Sequence, residues 1–225
     1  MRSFFPRLLR RISPKLGAAA ATAEILWQKN GWWRSASQLR PVDHAGVPLP
    51  WMTYPAQAWL DLLDLKECRI FEYGAGWGTL HWARRARAVT AVERSAEWVE
   101  ELRPMLPPNA TLHGPLDGQE YIDDARQSAP WDVVIVDGRH RKECAQVAAQ
   151  VLKPGGLIVL DNADWFTDAA DHLRSRGLTQ VDFQGFGPCN AYTWTTAVFF
   201  GATFAIPRLP APWSGADRGA IPYQP

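Results

Sequence analysis

Three cysteines in 225 residues, Cys68, Cys144 and Cys189, are too few and too far apart for a disulfide framework, and no CxxC pair offers a zinc knuckle. Free thiols suit a reducing cytoplasm, which is the expected location. Charge of one sign is also lacking: 24 basic and 23 acidic side chains leave a formal +1, so a nucleic-acid partner has no global electrostatic support. No run reaches the roughly 18 consecutive apolar residues of a membrane-spanning helix. Arg10, Arg11, Pro14 and Lys15 interrupt any apolar stretch before Ala18, and Glu24 follows closely, so the start does not read as a secretory signal. No internal repeat occurs. With 47% apolar and 21% charged residues the composition is that of an ordinary globular chain, which excludes collagen-like, coiled-coil and wholly disordered classes. This length buries a core without staples and suits one domain with appendages.

Charge is uneven along the chain. Arg2, Arg7, Arg10, Arg11 and Lys15 give residues 1–16 a net +5, with Phe4, Phe5, Leu8, Leu9 and Ile12 at helical spacing between them. Two readings stand for this segment: a weak interfacial helix touching anionic lipid, or a solvated basic tail. Residues 17–60 read as a helical cap, with helices over 18–38 and from Ala56 to Leu65 separated by a Pro- and Gly-rich loop, Pro41 to Pro50. From there to about residue 203 short apolar runs alternate with helical patterns. The runs are Arg69–Tyr73, Ala88–Val92, 110–112, 132–136 and 156–160. Continuous rather than alternating apolar strands indicate a parallel sheet covered on both faces, an open doubly wound α/β domain. Two last runs, 179–183 and 193–200, are joined by Gly185, Gly187, Pro188 and Asn190 with no room for a crossover helix, so they should be antiparallel neighbours. Residues 204–225 carry five prolines and read as an extended tail.

The sharpest signal is Arg69-Ile-Phe-Glu72-Tyr-Gly74-Ala-Gly76-Trp77-Gly78-Thr79. A buried strand ends, glycines turn the backbone, and a helix begins, which aims free amides into the crevice at the strand's carboxyl end. A dinucleotide fingerprint wants a third glycine at position 79, where threonine stands. An acid instead precedes the loop; it would repel a pyrophosphate but favour a cationic ammonium or sulfonium ligand, pointing to S-adenosylmethionine rather than NAD. Glu93 ends the next strand, 19 residues after Gly74, where a carboxylate can accept both ribose hydroxyl hydrogens.

On these blocks, together with Val136-Asp137 and the Leu152-Lys-Pro-Gly-Gly-Leu-Ile-Val-Leu-Asp161 run, residues 60–200 resemble the class I S-adenosylmethionine-dependent methyltransferases. The resemblance implies a Rossmann-like, mostly parallel seven-stranded sheet closed by an antiparallel C-terminal hairpin. The blocks Pro48-Leu-Pro-Trp51-Met-Thr-Tyr54-Pro55, Asp137-Gly-Arg-His-Arg141 and Gly187-Pro188 are similar to those of methyltransferases found beside glycan-building enzymes, a match that says little about the acceptor; a small-molecule or glycan-like acceptor is the expectation. In such proteins the loop holding Trp51 and Tyr54 forms a lid, which implies a cofactor contact for Tyr54. Trp77 inside the glycine loop is a further candidate for ligand contact. Asp117 has two readings, acceptor of the adenine amino hydrogen or cap of the following helix.

Asp137 and Asp161-Asn162 end adjacent central strands, and strands about 4.8 Å apart bring three oxygen ligands together. The pattern is similar to the metal-binding Asp and Asp-Asn of the catechol and caffeoyl-CoA O-methyltransferases, which implies Mg²⁺ or Mn²⁺ on Asp137, Asp161 and Asn162. Those relatives carry lysine three residues after the first aspartate; here His140 stands there as a candidate general base, with a solvated loop histidine as its plain reading. The competing reading of the carboxylates is that Asp137 orients the methionine ammonium, Asp161-Asn162 cap the next segment, and Arg139 or Arg141 neutralises Asp137 without an ion. The activity expected is methyl transfer to an oxygen or nitrogen. Aminopropyl transfer and a non-catalytic nucleoside-binding scaffold are the alternatives.

Overall fold

A computed structural model describes residues 11–210; the apolar positions Phe4, Phe5, Leu8 and Leu9 of the basic segment lie outside them. Seven strands, β1 (Arg69–Tyr73), β2 (Ala88–Val92), β3 (Ala110–His113), β4 (Trp131–Val136), β5 (Leu152–Leu160), β6 (Thr179–Gly185) and β7 (Trp194–Phe200), form one sheet in the order β3-β2-β1-β4-β5-β7-β6. All neighbouring pairs from β3 to β5 are parallel, while β7 runs antiparallel to both β5 and β6. The hairpin expected from the short Gly-Pro connection is therefore present. This is the Rossmann-like architecture expected from the sequence.

The parallel strands are apolar on both sides because each face meets helices. Phe71, Tyr73, Val134, Val136, Ile158 and Leu160 pack with Cys144, Ala145, Val147 and Ala148 of one helix (Arg141–Val151) and Ala169, Ala170 and Leu173 of another (Thr167–Ser175). Alternate residues Ile70, Val133, Ile135, Leu157 and Val159 pack with Leu60, Trp82 and Ala83 from the other side.

In chain order the helices are α1 (Pro14–Glu24), α2 (Trp32–Gln38), α3 (Tyr54–Leu60), α4 (Trp77–Ala83), α5 (Ala96–Leu102), α6 (Gly118–Asp123), α7 (Arg141–Val151) and α8 (Thr167–Ser175). The single helix expected over 18–38 is two. A π turn, Ile25–Lys29, follows α1, and Gly31 turns the chain at φ +71° before α2. A side chain there would collide with the backbone of Asp43 and His44, so only glycine lets the two segments close on this loop. Of the segment expected as a tail from residue 204, the described part is attached: Phe204 and Ile206 pack on the core, Leu63 bridges Arg208, and the amide of Leu209 donates to the carbonyl of Leu62 (2.7 Å). Among the described residues no helix is long and apolar enough to cross a membrane.

Candidate active site

After β1 the chain lays β2 on one side, and after β3 it crosses to lay β4 on the other. At such a reversal the loops leaving β1 and β4 diverge and open a crevice outside the strands' carboxyl ends. A cleft of about 500 Å³ lies there, lined by the glycine loop, Glu93, Asp137, Gly138, Arg139, Arg141, Asp161 and Asn162, with Leu39, Pro41 and Trp51 contributed from the cap. Glu72, Gly74, Gly76, Trp77, Gly78 and Glu93 all line it, as the sequence predicts.

Glu72 is 3% exposed. Its Oε2 accepts a hydrogen bond from Thr79 Oγ1 (2.5 Å), and the same hydroxyl accepts from the Gly76 amide (3.0 Å). Threonine at position 79 thus replaces the third fingerprint glycine with a clamp that fixes the acid to the loop. Burial pushes the Glu72 carboxyl up to about 8; the Thr79 hydrogen bond opposes this. A β-carbon at Gly78 would stand 2.5 Å from Glu72 Oε1, so this glycine is what admits the carboxylate beside the helix start.

Gly74, at φ +90°, touches Gly138 so closely that a β-carbon on either would strike the other's backbone, and one on Gly138 would also strike the Tyr121 hydroxyl. Gly138→Ala is therefore expected to destabilise the protein by about 1–3 kcal/mol and to weaken ligand uptake in the cleft, measured by urea unfolding and calorimetry.

Sequence reasoning missed several lining residues. Trp98 of α5, which by its helical spacing reads as a core or interface position, donates from Nε1 to the Ala75 carbonyl (2.7 Å) and lines the cleft. Trp165 and Tyr192 stack at the mouth, with ring centroids 6.3 Å apart, and Asn190 lies beside them. Nothing in local spacing connects residues 165 and 192; the return of β7 beside β5 does.

The proposed metal ligands are already engaged. Arg141, only 11% exposed, donates from Nη2 to Asp137 Oδ1 (2.7 Å) and to the Asp137 carbonyl (2.9 Å), and from Nη1 to Asn162 Oδ1 (2.8 Å). Its guanidinium also lies 4.6 Å over the Phe166 ring. Asp161 accepts from Trp194 Nε1 (3.0 Å) and Thr196 Oγ1 (2.5 Å). Among the described residues no group of three acidic, histidine or cysteine side chains converges as a metal site. The Mg²⁺ or Mn²⁺ expectation for Asp137, Asp161 and Asn162 finds no support here: the cation Arg141 already holds Asp137 and Asn162, Trp194 and Thr196 hold Asp161, and an octahedral ion would have to displace these partners. Burial and the neighbouring Asp161 push Asp137 up, with Arg141 opposing, and burial pushes Asp161 up to about 6.

Three other predicted residues stand elsewhere. His140, in left-handed backbone at φ +52° ahead of α7, turns outward, and its Nε2 donates to Asp117 Oδ1 (3.0 Å). Asp117 is the cap of α6, accepting from the Gly118 amide (2.8 Å), and pairs with Arg94; the bond from His140 is the main reason its carboxyl lies below the usual range. Neither residue is among those lining the cleft. Tyr54 is buried at the start of α3, where its amide donates to the Phe186 carbonyl (2.7 Å), and Trp51 lines the cleft in its place.

No family model matches the chain, and no curated protein matches it. Solved structures share the fold. The precorrin-6y C5,15-methyltransferase of Geobacter metallireducens GS-15 is 16% identical over 66% of this chain and 87% of its own, with a TM-score of 0.53. The precorrin 8w decarboxylase of Methanobacterium thermoautotrophicum is 21% identical over 70% and 95%, with a TM-score of 0.48. The SMU.1697c protein of Streptococcus mutans, solved in complex with SAH, is 16% identical over 66% and 98%, with a TM-score of 0.49. The first of these likenesses is one of fold: this chain has the Rossmann-like fold of the class I methyltransferases.

Proposed function

We propose that the protein is an S-adenosylmethionine-dependent methyltransferase acting on an oxygen or nitrogen of a small-molecule or glycan-like acceptor. The observation that carries this reading is Glu72, a buried acid clamped by Thr79 at the floor of the cleft, whose carboxylate form suits an ammonium and would repel a phosphate. The cleft also suits the rest of such a ligand. Two buried donors that line it, Trp77 Nε1 and Arg141 Nε, have no hydrogen-bond partner among the described residues, and Glu93 is free to accept on one oxygen while the other takes the Ser95 amide (2.8 Å). Glu72 would hold the ammonium and Glu93 the ribose hydroxyls.

S-adenosylmethionine supplies an electrophilic methyl carbon. The protein's part is to align the acceptor with it and to take a proton from the attacking group. Asp137, a carboxylate lining the cleft whose proton affinity is raised by burial, is our candidate for that proton; Arg141 holds it in place. The half-exposed stack of Trp165 and Tyr192, beside Asn190, offers a flat platform with polar edges, which supports a ring-shaped acceptor such as a sugar. The near-zero net charge speaks against a nucleic-acid acceptor, and the three free cysteines support a cytoplasmic location.

The test is incubation of purified protein with methyl-labelled S-adenosylmethionine and a cell extract. Label is expected in an acceptor, with undiminished yield in a chelator because Arg141 takes the place of an ion. Preference for the decarboxylated cofactor would move the reading to aminopropyl transfer, and binding without transfer would make the protein a scaffold.

A further inference from the structure

The helical segment from Pro14 to Lys29 rests on the rest of the protein through very little. Gly17 is the only buried residue of α1, and the π turn after it buries none. Large apolar side chains along it face water instead: Leu16 and Trp27 are 55% and 47% exposed, with Ile12 just before the helix at 73%. Trp33, 62% exposed, packs on Trp27 with ring centroids 5.5 Å apart. Its neighbour Trp32 turns the other way, donating from Nε1 to the Asn190 carbonyl (2.8 Å), and so fixes α2 with Trp33 outward. An exposed aromatic and aliphatic set of this kind marks a surface that another phase or molecule covers.

Charge says which. Up to Arg34 the chain holds seven basic residues and one acid, Glu24, a net +6; the remainder holds 17 and 22, a net −5. Arg11, Lys15, Lys29 and Arg34 of the described residues therefore stand among the exposed apolar groups. We propose that residues 11–34 form a docking face for an anionic lipid bilayer. Tryptophan rings settle at the boundary between headgroups and acyl chains, and each basic residue near such a surface adds about 1 kcal/mol. A second copy is the poorer occupant, since a two-fold pair would bring one basic face, a net +3 over residues 11–34, against another. The face reaches the cleft through α2, whose end at Leu39 lines the mouth, so docking would present the opening close to the lipid surface.

The experiment is co-sedimentation of the full chain with vesicles of phosphatidylcholine alone or with about 30% phosphatidylserine, beside Trp27→Ala/Trp33→Ala and Lys15→Glu/Lys29→Glu variants. The wild type is expected to bind the anionic vesicles at least about tenfold more tightly, and to lose that advantage in about 0.5 M salt. Both double variants should lose about tenfold while keeping the wild-type melting temperature, because none of the four side chains is buried. Equal partition to both vesicles, no binding, or variants that bind like the wild type would overturn the proposal. So would a dimer in sedimentation velocity that the tryptophan variant dissolves, which would assign the face to a second copy.

Discussion

Arg141→Met is expected to cost about 3–5 kcal/mol of stability at pH 8 and far less at pH 5. In the native protein one guanidinium, almost buried, serves Asp137 and Asn162 directly and lowers the cost of charge on Asp161. Methionine keeps much of the packing on Phe166 but leaves the half-buried Asp137 and the buried Asp161 without a cation. Above the folded pKa of these acids the variant must hold them ionised and uncompensated; below it they take up protons, and a neutral acid needs no ion partner. Urea unfolding at the two pH values measures the difference. Millimolar Mg²⁺ should leave the wild-type melting temperature unchanged and raise that of Arg141→Met, because only the variant leaves Asp137 and Asn162 without their cation. A wild type stabilised by Mg²⁺ would show that the guanidinium does not fill the site. The double variant Arg141→Met/Asp137→Asn should recover much of the loss.

Glu72→Gln is expected to move ligand affinity and stability in opposite directions. The carboxyl, pushed up to about 8 by burial, keeps a proton in the empty protein at pH 7 that it lacks in the unfolded chain. Between the ordinary carboxylate value and 8 the folded state therefore binds more protons, so stability falls as pH rises through that window, by up to about 1.4 kcal/mol per pH unit for this group. Asp161 has the same sign but is exhausted near 6, so the limb from 6 to 8 reports on Glu72 with a contribution from Asp137. Glutamine removes the Glu72 share and should leave the empty protein more stable than the wild type at pH 8.

Binding of a cationic ligand has the reverse dependence. The ammonium needs the carboxylate, so affinity for S-adenosylhomocysteine should climb as pH rises toward 8 and then level, with proton release in calorimetry. Loss of a charge-assisted hydrogen bond, about 1.5–3 kcal/mol, predicts roughly 10- to 150-fold weaker binding in Glu72→Gln and a flat pH profile. Unchanged affinity in the variant would remove Glu72, and with it the main support for a cationic nucleoside ligand.

Much of the fold is written locally. All seven strands lie within a few residues of their expected places, and the central ones are the clearest, because a strand buried on both faces needs an uninterrupted apolar stretch whatever its neighbours are. The short link between β6 and β7 excludes a crossover by chain length alone. The break at Gly31 was less legible: alanines and tryptophans on either side favour helix, and the need for glycine comes from the approach of Asp43 and His44, which are distant enough in sequence to escape a local pattern.

By itself the sequence determined the parallel character of the central strands, the glycine turn, the acid before it and the acid on the next strand, since each depends on residues within a few positions or one strand spacing of one another. Only the tertiary structure decided what the second group of acids does. Arg141 reaches Asp137 one helical turn back and Asn162 across the sheet, while Trp194 and Thr196 claim Asp161 from the returning strand. A spacing pattern records which oxygens can meet, but whether an ion or a side chain fills the space between them depends on where every neighbouring donor comes to rest.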